Sequence, residues 1–139
     1  MKVLGLNRVE LVVREDEIEK AVAQFNEVLK LRLPDPIQIH EQPIKSATDF
    51  EGGIEFVAPV DGKGPFASTP RGGIGPLVFE IEDFDEAKSW LQAHDYRIFY
   101  EYDSTQGHGA EAKTAVRQLV LDPEQWFGFL VTLMERERV

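Results

Sequence analysis

The sequence predicts an α+β fold, with two tandem β-α-β-β-β modules in a single domain of 139 residues. Two segments have apolar side chains at helical spacing, and several short segments rich in valine, isoleucine and aromatic residues have the character of strands. The order of elements in the first half recurs in the second, with three aligned pairs: Val13 with Ile81, Ala21 with Ala87, and Ile54 with Val131. A recurring order of this kind indicates a duplicated unit.

The first module comprises residues 7–59, approximately. Its elements are expected in the order strand, helix and three strands, at 8–13, about 16–30, 37–42, 44–50 and 54–58. The helix has one apolar stripe, formed by Ile18, Ala21, Val22, Phe25, Val28 and Leu29. Asp16 and Glu19 form a capping pattern at its start, and Pro34 and Pro36 prevent its continuation.

The second module comprises residues 74–135, approximately, after a glycine- and proline-rich linker at 60–73. Its strands are expected at 76–82, 96–102, 115–121 and 127–134. Between the first two of these strands, Asp83 caps a second helix, with Glu86 three residues further on. The apolar stripe of this helix consists of Phe84, Ala87, Trp90 and Leu91.

The composition of the chain excludes several classes of function. The formal net charge is −10, and an acidic surface repels phosphate backbones and anionic lipid head groups. We therefore expect no nucleic-acid partner and no membrane partner. The absence of cysteine excludes thiolate chemistry and fits a reducing compartment, and the N-terminus has no signal-peptide pattern. We expect a cytoplasmic protein.

A glycine-rich segment at 72–75 raises the question of a dinucleotide cofactor. It precedes a predicted strand instead of joining a strand to a helix, so the anion-binding geometry of a dinucleotide fingerprint is absent. We expect no cofactor.

Four segments resemble a known family in their order along the chain. They are 7–13, 53–59, 73–83 and 128–135, and each resembles a strand motif of the vicinal oxygen chelate superfamily, also called the glyoxalase/bleomycin-resistance/dioxygenase fold. The spacing is most similar to that of the methylmalonyl-CoA epimerase-like branch. The resemblance implies a curved mixed sheet around a cleft, a small-molecule ligand and a homodimer.

The resemblance also assigns the four metal-ligand positions of that family to Arg8, Glu55, Pro76 and Thr132. Family members usually have histidine at the first and third positions and a carboxylate or amide at the others. Arg8 is cationic, Pro76 has no donor atom in its side chain, and the Thr132 hydroxyl is a weak neutral donor. A divalent cation generally needs three or more protein ligands. We therefore expect no metal.

The same positions predict an organic binding site. Because side chains alternate along a strand, Arg8 and Glu10 face the same way, and Glu55 is expected on a neighbouring strand. Arg8 is a candidate anchor for an anionic or carbonyl group, and Glu55 or Glu10 is a candidate general base. Thr132 and Pro76 are expected to contact the ligand. The alternative is internal charge compensation, in which Arg8 pairs with Glu55 or Glu10.

Three further residues are candidates for ligand contact. His108 lies in a glycine-flanked loop, and loops over a cleft often carry function. Tyr100 and Tyr102 share one face of a predicted strand, where they can stack on a flat ligand. The alternatives are a surface loop for the histidine and packing for the tyrosines. Arg117 either pairs with Glu101 or contacts a ligand.

Three hypotheses for the function follow. The first is a metal-free protein that binds a small organic molecule with an apolar body and an anionic or carbonyl group. It either sequesters the molecule or acts as a metal-independent isomerase or lyase. The second is a divalent-metal enzyme with non-family ligands such as Glu10, Glu55 and His108. The third is a non-catalytic interaction module whose cleft is filled by its own side chains.

Overall fold

The computed structural model describes residues 1–39, 42–103 and 114–138. In chain order, its elements are β1 Val3–Val12, α1 Ile18–Leu29, β2 Ile37–Ile39, β3 Ile44–Asp49, β4 Ile54–Pro59, β5 Ile74–Ile81, α2 Phe84–Ala93, β6 Ile98–Asp103, β7 Thr114–Leu121, a 3-10 turn Pro123–Trp126, and β8 Val131–Arg138. The predicted α+β class and the repeated β-α-β-β-β order are confirmed. None of the helices in these ranges is long and apolar enough to cross a membrane.

The chain forms two compact units. The first unit is Arg8–Gly75, and the second unit is Met1–Asn7 together with Pro76–Val139. Strand β1 therefore contributes its first half to the second unit and its second half to the first. The predicted linker at 60–73 lies inside the first unit.

In the first unit, the strands are ordered β2-β3-β4-β1. β2, β3 and β4 run antiparallel, whereas β4 and β1 are parallel. Helix α1 covers one face of these strands with an apolar cluster of Ile18, Val22, Leu33, Ala47, Phe56 and Ala58. Because side chains alternate along a strand, the opposite face carries polar side chains from strands β1, β3 and β4. They are Arg8, Glu10, Ser46, Thr48 and Glu55.

In the second unit, the strands are ordered β5-β8-β7-β6. β5 and β8 are parallel, and the other neighbours are antiparallel. Helix α2 covers one face with a cluster that includes Ile81, Phe84, Leu91, Leu119 and Leu133. As predicted, Asp83 caps α2, since its Oδ1 accepts a hydrogen bond of 2.9 Å from the backbone N–H of Glu86.

Several local predictions are wrong. Strand β1 begins at Val3, five residues earlier than predicted, and β6 begins at Ile98, two residues later than predicted. Helix α1 begins at Ile18, with Glu17 instead of Asp16 at the N-cap position. The last strand begins at Val131, four residues later than predicted. Phe127 has a φ of 61° and Gly128 a φ of 88°, both in the left-handed region that strands do not use. The residues before Val131 therefore close the 3-10 turn instead of extending β8.

Candidate functional site

An arginine and two glutamates form the centre of the polar face in the first unit. The Nε of Arg8 donates a hydrogen bond of 2.7 Å to Glu55 Oε1, and its Nη2 lies 3.5 Å from Glu10 Oε2. Glu10 and Glu55 are register partners on the parallel strands β1 and β4, so their side chains lie next to each other on the same face. Arg8 precedes Glu10 by two residues and shares that face.

All three side chains are buried. The exposed fraction is 4% for Arg8, 7% for Glu10 and 6% for Glu55. Buried charges are strongly destabilising unless they are paired and hydrogen-bonded. The contact between the guanidinium and the two carboxylates satisfies this requirement, so the charge compensation considered from the sequence is present, and it involves both glutamates.

Two further residues complete this group. The hydroxyl of Thr48 donates a hydrogen bond of 2.8 Å to Glu55 Oε1, the same oxygen that Arg8 contacts. Thr48 is the antiparallel register partner of Glu55, which explains this contact. The Cζ of Arg8 lies 5.4 Å from the centroid of the Phe50 ring, within cation–π range. We call Arg8, Glu10, Thr48, Phe50 and Glu55 the Arg8 cluster.

The turn between β3 and β4 is fixed by Asp49. Its Oδ2 accepts a hydrogen bond of 2.7 Å from the backbone N–H of Arg32, and its Oδ1 accepts one of 2.8 Å from that of Gly52. Burial by itself raises the pKa of Asp49, but the backbone hydrogen bonds outweigh it, so the pKa lies below its ordinary value. The ionised carboxylate thereby holds the turn that sets Thr48 opposite Glu55.

Ser46 lies on the same face of β3 as Thr48, two residues before it. Its side chain is buried, and its hydroxyl has no hydrogen-bond partner among the described residues. Sequence reasoning missed both Ser46 and Thr48. The strand at 44–50 was predicted, but which of its faces meets Glu55 depends on the register of the β3–β4 pair, which the pattern did not supply.

The second unit brings a different set of the predicted residues onto one face. Thr132 is the register partner of Val78 on β5 and of Val120 on β7. Tyr100 pairs with Val120 and therefore lies on the same face. Three other residues share the face by alternation or register: Pro76, Tyr102 and Met134.

Thr132 is the most unusual residue on this face. Its side chain is 1% exposed, and its hydroxyl has no hydrogen-bond partner among the described residues. Its cross-strand neighbours Val78 and Val120 have no side-chain hydrogen-bonding groups. A polar atom at this place in an apolar row suits a ligand that is mostly apolar and has one hydrogen-bonding group.

The surface also contains a shallow groove in the second unit, with a volume of about 650 Å³. It lies along α2 and β6, and its lining includes Lys88, Tyr96, Phe99 and Tyr100. Among the residues predicted for the site, only Tyr100 is part of this lining. The groove is wide open to solvent, and it has neither the buried charges nor the buried hydroxyls that mark the two faces described above.

The remaining candidates lie elsewhere. Arg117 faces α2, with its Cζ 4.0 Å from the Phe84 ring centroid and its Nη2 3.5 Å from Asp85 Oδ1. Glu101 pairs with Lys88 at 2.7 Å, so the predicted alternative of an Arg117–Glu101 pair is wrong. His108 lies outside the described residues.

The residues at the four positions assigned by resemblance do not fit a divalent cation. Arg8 places a positive charge against the carboxylate of Glu55, where a metal ion would need to bind, and Pro76 offers no donor atom. Within residues 1–39, 42–103 and 114–138, no three histidine or acidic side chains are grouped closely enough to hold a metal ion.

Comparison with known proteins gives a consistent result. Residues 7–113 match the sequence profile of the Glyoxalase/Bleomycin resistance protein/Dioxygenase superfamily. Among solved structures, the methylmalonyl-CoA epimerase from Mycobacterium tuberculosis is 24% identical with a TM-score of 0.73, covering 96% of this chain and 88% of that one. A hypothetical protein from Bacillus halodurans C-125 is 18% identical with a TM-score of 0.76, covering 96% and 95%.

A third similar structure is a variant of the Streptomyces coelicolor methylmalonyl-CoA epimerase in complex with 2-nitronate-propionyl-CoA. It is 14% identical with a TM-score of 0.73, covering 96% of this chain and 98% of that one. The comparison with curated proteins gave no significant match. At these identities, the structural likenesses support the fold.

Proposed function

Since the chain belongs to the Glyoxalase/Bleomycin resistance protein/Dioxygenase superfamily, we propose that it is a metal-free member that binds a small organic molecule. The ligand has an apolar body and one carbonyl or anionic group. The proposal includes a cytoplasmic homodimer with no nucleic-acid or membrane partner. Light scattering of the purified protein tests the dimer.

The observation that carries the proposal is that the buried hydroxyls of Ser46 and Thr132 have no hydrogen-bond partner within the part of the chain that the structure describes. A buried polar group that lacks a hydrogen bond destabilises a protein by about 1–3 kcal/mol. Groups of this kind are retained where a ligand or an ordered water completes the hydrogen bond. Thr132, in an apolar row, supports a ligand with one hydrogen-bonding group in an otherwise apolar body.

The Arg8 cluster supports the proposal that the ligand has a carbonyl or anionic group. A guanidinium has donors on more than one edge, so its pairing with Glu55 through Nε is compatible with contact to a ligand oxygen. Among the described residues, two carboxylates lie beside one guanidinium, so their combined formal charge exceeds that of Arg8. A neutral carbonyl oxygen is therefore a better occupant than a third anion, because it adds no like charge to a buried site.

Sequestration and proton transfer are the two modes of action within the proposal. Glu55 Oε1 already accepts hydrogen bonds from Arg8 and Thr48, which favours a structural role for this oxygen. For a proton-transfer step, Glu10 or Glu55 is the base. Exchange of the ligand's α-hydrogens for deuterium in D₂O, followed by NMR, separates the two modes. Sequestration predicts binding without exchange.

The experiment that tests binding uses a matched pair of compounds. Phenylacetone has an apolar body and a neutral carbonyl, and phenylpyruvate adds a carboxylate. Structural neighbours have been described with methylmalonyl-CoA and with 2-nitronate-propionyl-CoA, so propionyl-CoA is the third probe. Calorimetry on the wild type is expected to detect at least one of the three, with the neutral ketone bound more tightly than the keto acid.

Three variants locate the bound compound. Thr132→Val keeps the shape of the side chain and removes the hydroxyl, and Ser46→Ala removes the other buried hydroxyl. His94→Ala is the control, because His94 is exposed at the end of α2 and stacks on Trp90 with ring centroids 3.9 Å apart. Thr132→Val or Ser46→Ala is expected to weaken binding about tenfold, the effect of one hydrogen bond. Equal affinities for all variants would contradict this placement.

The second hypothesis, a metal enzyme with Glu10, Glu55 and His108 as ligands, is less well supported. A divalent ion at the two carboxylates would have to displace the guanidinium that contacts both of them.

A further inference from the structure

We infer that Arg8 is a built-in counter-cation, which takes the place that a divalent ion would need between Glu10 and Glu55. Removing its guanidinium is then expected to turn this cluster into a binding site for a divalent cation. The inference concerns the cluster alone and does not depend on the proposed ligand.

The carboxylates of Glu10 and Glu55 lie close to each other. Neighbouring strands lie about 4.8 Å apart, and Glu10 and Glu55 are register partners on such strands with their side chains on one face. Two buried carboxylates at this spacing repel each other, and the repulsion is strong where water is excluded. The pair therefore requires a cation, and the guanidinium of Arg8 contacts one oxygen of each.

The oxygen atoms of the cluster are of a kind that can bind a divalent cation. Carboxylate oxygens and water are the ligands that suit hard divalent cations such as Mn²⁺. Glu10 and Glu55 supply the carboxylates, and Thr48, whose hydroxyl is a weaker neutral donor, lies 2.8 Å from Glu55 Oε1. What excludes a metal is Arg8 itself, which is always charged and offers no lone pair.

The inference also explains why Arg8 is buried. Its exposed fraction is 4%, and the Phe50 ring lies near its guanidinium carbon. A cation that served only as a surface anchor would not need this enclosure. A structural cation does, since enclosure strengthens its attraction to both carboxylates.

The test measures Mn²⁺ binding and thermal unfolding of Arg8→Ala and Arg8→His, with Mn²⁺ as the only added metal. Titration followed by electron paramagnetic resonance counts bound Mn²⁺ directly. We expect about one bound Mn²⁺ per chain in each variant, and a rise in Tm of about 5 °C on saturation. The wild type is expected to bind no Mn²⁺ at this site and to show no shift in Tm.

Three controls keep the result interpretable. Arg8→Lys retains a cation, so it should fold and bind no Mn²⁺. Arg71→Ala removes an exposed arginine that pairs with Glu17 at 2.8 Å, and should also bind none. Arg8→Ala combined with Glu55→Gln should lose the Mn²⁺ that Arg8→Ala gains, which shows that the ion binds at this cluster.

Several results would overturn the inference. One is Mn²⁺ bound equally by the wild type and by Arg8→Ala. Another is folded Arg8→Ala and Arg8→His protein that binds none. A third is failure of both variants to fold even with Mn²⁺ present while Arg8→Lys folds, because an external ion would then be unable to replace the guanidinium.

Discussion

Glu10 and Glu55 are register partners on the parallel strands β1 and β4, and the guanidinium of Arg8 contacts both carboxylates. The contact to Glu55 is the shorter of the two, at 2.7 Å against 3.5 Å for Glu10. One cation therefore lies against two buried like charges. Replacing any one of the three residues is expected to lower the stability of the folded protein.

Replacement of Arg8 by alanine is expected to destabilise the protein strongly. Loss of one partner from a buried ion pair costs about 3–5 kcal/mol, because a charge is left uncompensated. Arg71→Ala is the matched control. The ion pair of Arg71 with Glu17 is exposed, and such pairs contribute about 1 kcal/mol or less. Urea unfolding of both variants without added metal measures the difference. Similar losses in the two would show that the burial of the Arg8 cluster does not matter.

The two glutamates are expected to differ. Glu55→Gln removes the charge that receives both the Arg8 and Thr48 hydrogen bonds, so the predicted loss is about 3 kcal/mol. Glu10→Gln removes the charge at the longer of the two contacts to Arg8, 3.5 Å, and a smaller loss of about 1 kcal/mol is expected. The same urea measurement ranks them. A larger loss for Glu10→Gln would indicate that Glu10 is the principal partner of Arg8.

The pH dependence of stability has a specific contribution from Asp49. Hydrogen bonds from the backbone place its pKa below the ordinary 3.8, so the folded state binds its proton less readily than the unfolded state. The resulting stabilisation is fully present above pH 3.8 and is lost as the pH falls below it. Asp49→Asn should therefore be less stable than the wild type at neutral pH, by about 1–3 kcal/mol for hydrogen bonds to a charged group.

The difference between the wild type and Asp49→Asn should become smaller as the pH is lowered from 5 toward 3. The pKa values of Glu17 and Asp122 are also lowered, chiefly by hydrogen bonds from Arg71 and Arg97. The variant should therefore keep part of the acid sensitivity. If the difference in stability stays constant across this pH range, Asp49 is excluded as a source of the acid sensitivity.

The alternation of polar and apolar residues in β1 was enough to predict that Arg8 and Glu10 share a face. The two-module order came from the repeated pattern of strands and helices. The partners Thr48 and Ser46 were missed, because their position opposite Glu55 and Val57 depends on the β3–β4 register. That register is set by a turn held through the carboxylate of Asp49, a contact that leaves no periodic signal in the sequence.

The start of β8 could not be predicted for a similar reason. Phe127 and Phe129 have the composition of a strand, yet Phe127 adopts a left-handed conformation and is 91% exposed. The hydrogen bond of 2.8 Å from Gly128 N–H to the Pro123 carbonyl closes the turn there. Local hydrogen bonding thus overrides the aromatic strand preference of this segment.

The most direct test of the central claim, that Arg8 stands where a metal would be needed, is elemental analysis of wild-type protein purified without chelators. We predict far less than one equivalent of zinc, iron, nickel or manganese per chain. About one equivalent of any of these metals, retained through gel filtration, would contradict the account.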